Sequence, residues 1–258
     1  LKDFILGLLM GIANLLPGIS GGTIAAISGR YEIILKAASD FVSLKWKKES
    51  LNVIIFLGAG IATSIILLSK ILSILFEKYP EYSYGIFTGL IIGGLLYLLN
   101  QINFKKTSNI SVITISFIIS FFLLKFAENF ESTNGNVSFW YLILGGIVGA
   151  ATMVLPGISG SSMLLIMGIY KPVIDAISNI NLNILIPVGM GVILGLVLII
   201  KLLEKLMEKF HEQVIAFLIG LTIAGTILIF PITSKWITYV FFVLGIFISK
   251  YLEKILNE

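Results

Sequence analysis

The chain has 258 residues, 57% of them hydrophobic and 12% charged, with a mean hydropathy of +1.04 and a formal charge of +4. That balance excludes an ordinary soluble domain and marks an integral membrane protein. There is no cysteine and one histidine, His211, which excludes disulfides and thiolate chemistry. The positive charge is carried almost wholly by lysine, so it reads as topology and headgroup contact rather than nucleic-acid binding.

In chain order, the first apolar run, Phe4 to Leu16, stops at "LPGISG" (16–21) and resumes over Thr23 to Ala38. At 1.5 Å per residue the two pieces are helices of about 20 and 24 Å, short of a ~30 Å hydrocarbon core. Lys2 before an apolar run mimics a signal peptide, but a second copy of the run near residue 146 argues that it is structure. Three uninterrupted segments of crossing length follow, about 51–76, 82–100 and 108–127. The hexapeptide "LPGISG" then recurs at 155–160, followed by segments of about 182–203, 213–230 and 235–252.

The recurrence is part of a duplication. Laying 7–31 on 146–170 matches ten of 25 positions, among them Pro17, Gly18, Ile19, Ser20, Gly21, Gly29 and Tyr31. Further on, Lys70, Glu77, Lys78, Glu81, Gly89 and Gly94 fall on Lys201, Glu208, Lys209, Glu212, Gly220 and Gly225. Internal repeats in membrane chains are a mark of transporter folds. The sequence thus predicts one all-α membrane domain, 1–258, built of repeats 1–130 and 138–258, each a broken hairpin followed by three transmembrane helices.

Basic residues arbitrate how the broken segments lie. If each crosses once, the 18 lysines and arginines divide evenly between the faces. If each returns to its own side, thirteen gather on one face and five on the other. The bias predicts re-entrant or paired-helix hairpins, both termini cytoplasmic in a multi-pass cell membrane protein, and, by parity of the three crossings between them, inverted repeats whose tips meet near the midplane.

At each tip a new helix begins with hydroxyls and glycines: Ser20, Gly21, Gly22 and Thr23 in the first, Ser159, Gly160, Ser161 and Ser162 in the second. Helix N-termini offer unpaired N–H groups, and glycine allows close approach, which together suit an anion such as a phosphate. The plainer alternative is that serine and threonine cap the helices while Pro17-Gly18 and Pro156-Gly157 make the turns. Two copies at apparent mid-membrane depth favour the functional reading.

Arg30 is the only arginine; inside the first hairpin's return arm it is a candidate phosphate ligand, or it pairs with Glu32 or snorkels to the interface. Asn14 could orient a headgroup or satisfy carbonyls freed by Pro17. Glu77, Glu81, Glu208 and Glu212 are candidate proton-coupling groups, against the simpler view that they are solvated helix ends, which the charged face of "KLLEKLMEKFHE" (201–212) supports. His211 reads as an interfacial side chain, Tyr31 and Tyr170 as interface anchors, and the spacings Gly7/Gly11 and Gly85/Gly89/Gly93 as close helix packing.

With "GIANLLPGISGGTIAAISGRYE" and "GAATMVLPGISGSSMLLIMGIYK", the chain resembles the polyprenyl-phosphate (undecaprenyl-phosphate) transporter family of bacterial and archaeal membrane proteins over essentially its whole length. The resemblance implies a non-enzymatic translocase, or flippase, that returns the carrier lipid between leaflets for reuse in envelope and peptidoglycan synthesis, with no cofactor or metal and with polyprenyl phosphate and membrane lipids as partners. The family motif falls on Asn14, Pro17, Gly18, Ser20, Gly21, Gly22 and Thr23, and on Pro156, Gly157, Ser159, Gly160, Ser161 and Ser162. A small-anion channel or secondary transporter could use the same helix ends. A lipid phosphatase is disfavoured, because no nucleophile, base and orienting group stand together in the sequence.

Overall fold

A computed structural model describes residues 1–14, 20–127, 137–233 and 235–257; Pro17 and Gly18 of the first tip lie outside the described residues. Every regular element among the described residues is a helix: α1 (Lys2–Asn14), α2 (Gly21–Ile27), α3 (Tyr31–Val42), α4 (Lys48–Lys78), α5 (Pro80–Leu99), α6 (Thr107–Ala127), α7 (Phe139–Val154), α8 (Gly160–Ile166), α9 (Tyr170–Ser178), α10 (Leu182–Ile229) and α11 (Trp236–Asn257). Local chemistry sets several starts. The Ser20 hydroxyl caps α2 by accepting from Thr23 N, the Ser138 hydroxyl caps α7 by accepting from Tyr141 N, and Pro80 opens α5 where a missing N–H goes unfelt.

Among the described residues, five helices are long and apolar enough to cross a membrane: α4, α5, α6, α10 and α11. The protein is an all-α, multi-pass membrane protein. The segments 182–203 and 213–230 are two helical stretches of α10 that meet at a kink, where Phe210 has non-helical φ/ψ. One sequence expectation needs correction: the return arm Thr23 to Ala38 is not one helix. It breaks at Ser28–Arg30, where Gly29 has φ +75°, and the second arm breaks likewise at Gly168, φ +70°. A positive φ there costs glycine little, whereas a Cβ would be strained. Across the second break α8 and α9 are bent by 119°, the geometry of a broken span or a re-entrant loop.

The backbone exceptions recur at matched positions. Gly29 pairs with Gly168, and Tyr79 (φ −133°, ψ 50°) between α4 and α5 pairs with Phe210 (φ −135°, ψ 44°). Packing recurs too. A Cβ on Gly7 would come within 2.2 Å of the Leu57 carbonyl and one on Gly146 within 2.3 Å of the Val188 carbonyl, so α1 lies backbone to backbone on α4, as α7 does on α10. The stripe Gly85/Gly89/Gly93 receives α11 in the same way, as its spacing predicted. The largest core cluster surrounds α2: Ile24, Ala25, Ala26 and Ile27 pack with Leu6, Ile91, Leu95, Leu98, Ile215 and Leu218.

Candidate functional site

The two tips touch. Gly157 N donates to Thr23 Oγ1 at 2.9 Å, and Ser20 Oγ donates to the Leu155 carbonyl at 3.3 Å. Tyr31 adds a third bond, its hydroxyl donating to the Val154 carbonyl at 3.2 Å. The chemistry follows from where α7 ends. Its last carbonyls have no intrahelical partner, and the turn at Gly157, φ +79°, points an amide at the first hairpin. The first hairpin's hydroxyls satisfy both.

Among the described residues of the first tip, the Asn14, Ser20 and Thr23 side chains are all engaged. Asn14 Oδ1 accepts from Gly21 N at 2.7 Å, and Ser20 Oγ accepts from Thr23 N at 3.3 Å while lying 3.4 Å from Thr23 Oγ1. Asn14 therefore serves a donor at the start of α2, where the sequence had suggested carbonyls freed by Pro17. All seven residues of α2 are buried. Gly22 fits because only a hydrogen can face the Val154 carbonyl; a Cβ would come within 2.7 Å.

The second tip is built from the same words and is open. Ser159 begins α8 with no side-chain cap bond, and its hydroxyl instead meets that of Ser161 at 2.6 Å. Ser161 is exposed, Ser159 and Ser162 are half-buried, and in α8 only Gly160 and Met163 are buried. Behind the turn, Gly157 presses on α10, where a Cβ would stand 2.1 Å from the Leu221 carbonyl.

Arg30 sits in the break between α2 and α3, not within a continuous arm, and its partner is Asp3 at 2.6 Å rather than Glu32. Glu32 faces His211 at 2.6 Å, and Ser39 donates to Glu204, so α3 is tied to α10 along one end of the molecule. The sequence missed Asp3 and Glu204; nothing local announces either. Tyr31 is 6% exposed and bonded to the tip, which corrects its reading as an interface anchor. Its repetition at Tyr170, beside the repeated glycine, was the available signal.

The four glutamates lie away from the tips. Glu81 is held by Lys235 at 3.1 Å and by the Thr233 hydroxyl at 3.2 Å, and Glu212 by Lys106 at 2.8 Å and Asn109 at 2.9 Å. Glu81 beside it pushes the Lys235 ammonium above the ordinary lysine range. Glu77 and Glu208 are exposed. Two cavities border α3. One of about 340 Å³ lies between α3 and α10 with Glu32, Lys36, Glu204 and Glu208 on its walls. The other, about 140 Å³ and apolar, reaches the joint itself at Gly22 and Val154.

Residues 10–241 match the family described as undecaprenyl phosphate translocase-like. The chain belongs to this family. Among the curated relatives of this translocase-like chain is the polyprenyl-phosphate transporter of Vibrio cholerae, 34% identical over 199 residues, a match covering 72% of this chain and 63% of that protein. Another is the polyprenyl-phosphate transporter of Staphylococcus aureus, 29% identical over 272 residues, covering 98% and 95%. No solved structure matches the chain. Within the family match lie both tips, their joint and the glutamate pairs.

Proposed function

We propose that the protein moves a polyprenyl phosphate, undecaprenyl phosphate among them, between the leaflets of the cytoplasmic membrane, returning the carrier lipid for another round of envelope synthesis. Two oppositely inserted re-entrant hairpins hold the phosphate at their tips, and both chain ends lie in the cytoplasm. The observation that carries this reading is the joint itself: a bond of 2.9 Å between Thr23 and Gly157 unites two helix breaks that lie 134 residues apart. Broken helices are tolerated at membrane depth where they line a binding site.

The open tip is the headgroup seat in this conformation. The α8 amides and the hydroxyls of Ser159, Ser161 and Ser162 supply hydrogen bonds in place of water, without which a buried phosphate would cost many kcal/mol. Thr23 Oγ1 stands on the Gly157 amide where a phosphate oxygen would bind, so substrate enters the joint by displacing Thr23 and parting the tips. Arg30 reaches the headgroup only when its pair with Asp3 opens. Rocking of one repeat against the other then presents the seat to the opposite leaflet. The glutamate-lysine pairs Glu81–Lys235 and Lys106–Glu212 clamp the repeats together at their ends.

The test is reconstitution in vesicles with leaflet-resolved detection of polyprenyl phosphate, with and without a pH gradient. Transfer of intact lipid, absent in protein-free vesicles, is expected. Release of inorganic phosphate would make the protein a phosphatase, and flux of inorganic anion without lipid transfer would make it a channel.

A further inference from the structure

The apolar cavity next to the joint has no role in holding a phosphate. It measures about 140 Å³ and is walled by Met10, Ala25, Ile34, Leu35, Ala38, Met153 and Ile200, with Gly22 and Val154 at the end where the tips meet. Its back wall is closed: Ala25, Leu35 and Tyr31 are 2%, 5% and 6% exposed. Its rim is not, since Met153 on α7 is 53% exposed. The only polar side chain on the wall, Tyr31, already donates to Val154, so the space offers a water few partners. An apolar cavity of this size stays dry and accepts a ring of six carbons.

We propose that this cavity is the seat of the phosphate-proximal isoprene unit of the carrier lipid. The inference rests on the functional reading above and deepens it. Five branched carbons match the volume, the shared residues Gly22 and Val154 put that unit next to the joint, and the open rim at Met153 lets the remaining chain run out into lipid. The two methionines on the wall suit a branched, unsaturated guest, because an unbranched thioether adapts its shape to what it packs against. The cavity thus selects for a branched prenyl chain at the point where it joins the phosphate, and a straight-chain acyl phosphate fills it poorly. Gly22 closes the end of the cavity against the Val154 carbonyl, so the isoprene unit and a headgroup at the joint meet when the tips part.

The experiment uses the full chain in nanodiscs, photolabelled with geranyl phosphate carrying a diazirine on its phosphate-proximal isoprene unit. Label is expected on Met10, Ile34, Ala38 or Met153, and Ala38→Leu should lower its yield about tenfold by filling the space. Should Ala38→Leu fold poorly, Met153→Phe at the exposed rim obstructs the same opening without overpacking the wall. Label confined to other membrane-facing residues, or undiminished by both variants, would overturn the seat. The matching diazirine alcohol separates this from the phosphate reading. If the alcohol labels the same residues as strongly as the phosphate does, the seat stands and the headgroup assignment falls.

Discussion

Two copies of one hexapeptide fold into sites with opposite characters. The first tip is shut: Ser20 caps its helix, Asn14 takes the Gly21 amide, and the whole of α2 is buried. The second tip is open: Ser159 caps nothing, Ser161 is exposed, and only Gly160 and Met163 of α8 are buried. The difference comes from what surrounds each copy, with α2 inside the main core cluster and α8 against a smaller one around Ile158, Met163 and Leu221. Two copies of one hexapeptide, followed by Gly22 and Thr23 in one half and by Ser161 and Ser162 in the other, thus end in different surroundings. Under the proposed exchange of two conformations, the shut and open states are the ones expected to trade places.

The comparison breaks most severely at the turn behind the open tip. Gly157→Ala puts a Cβ 2.1 Å from the Leu221 carbonyl in a left-handed backbone. Strain of roughly 1–3 kcal/mol, added to that clash, should abolish folded protein as judged by thermal unfolding in detergent. Next come the hydroxyls. Thr23→Val removes the acceptor of a buried amide and should cost about 1–3 kcal/mol of stability, whereas Ser159→Ala with Ser161→Ala should leave the unfolding temperature within a degree or two while weakening headgroup binding. Equal loss of stability in the two tips would erase the asymmetry.

Smaller effects sharpen it. Tyr31→Phe deletes one bond to Val154 and should cost about 1 kcal/mol; Tyr170→Phe, half-buried at the matched position, should cost less, and unfolding curves side by side would decide. Least of all, Glu81→Gln removes an exposed ion pair that contributes little to stability. The sign of its pH dependence is set by Lys235. A lysine whose pKa is raised in the folded state contributes fully at neutral pH and loses its contribution only as pH climbs through that raised value. The wild type should therefore keep this advantage over Glu81→Gln at pH 7 and lose it as pH rises into strong alkali, which parallel melts across pH would show.

Much of the architecture was legible because membrane depth punishes a broken helix, so Pro-Gly pairs within apolar runs had to mean something. The small-residue stripes were legible for the same reason, since only close backbone contact explains Gly85/Gly89/Gly93 so placed. What stayed hidden depended on distant partners. Nothing near Arg30 names Asp3, and nothing near Glu212 names Lys106. The second break could have been read from the matched Gly29 and Gly168, but a glycine in a helical pattern is also tolerated without consequence. The tips differ in sequence at Gly22/Ser161, Thr23/Ser162 and Asn14/Met153, but which of them is buried depends on the packing of α2 among helices from both halves, which no local stretch announces.

The most direct test of the account is phosphate binding measured by ³¹P resonance on the purified protein with a short prenyl phosphate, comparing Ser159→Ala/Ser161→Ala with wild type. The account predicts that the variant stays folded and loses most of the bound-phosphorus signal. An unchanged bound signal in that variant would contradict the assignment of the open tip as the place where the headgroup is held.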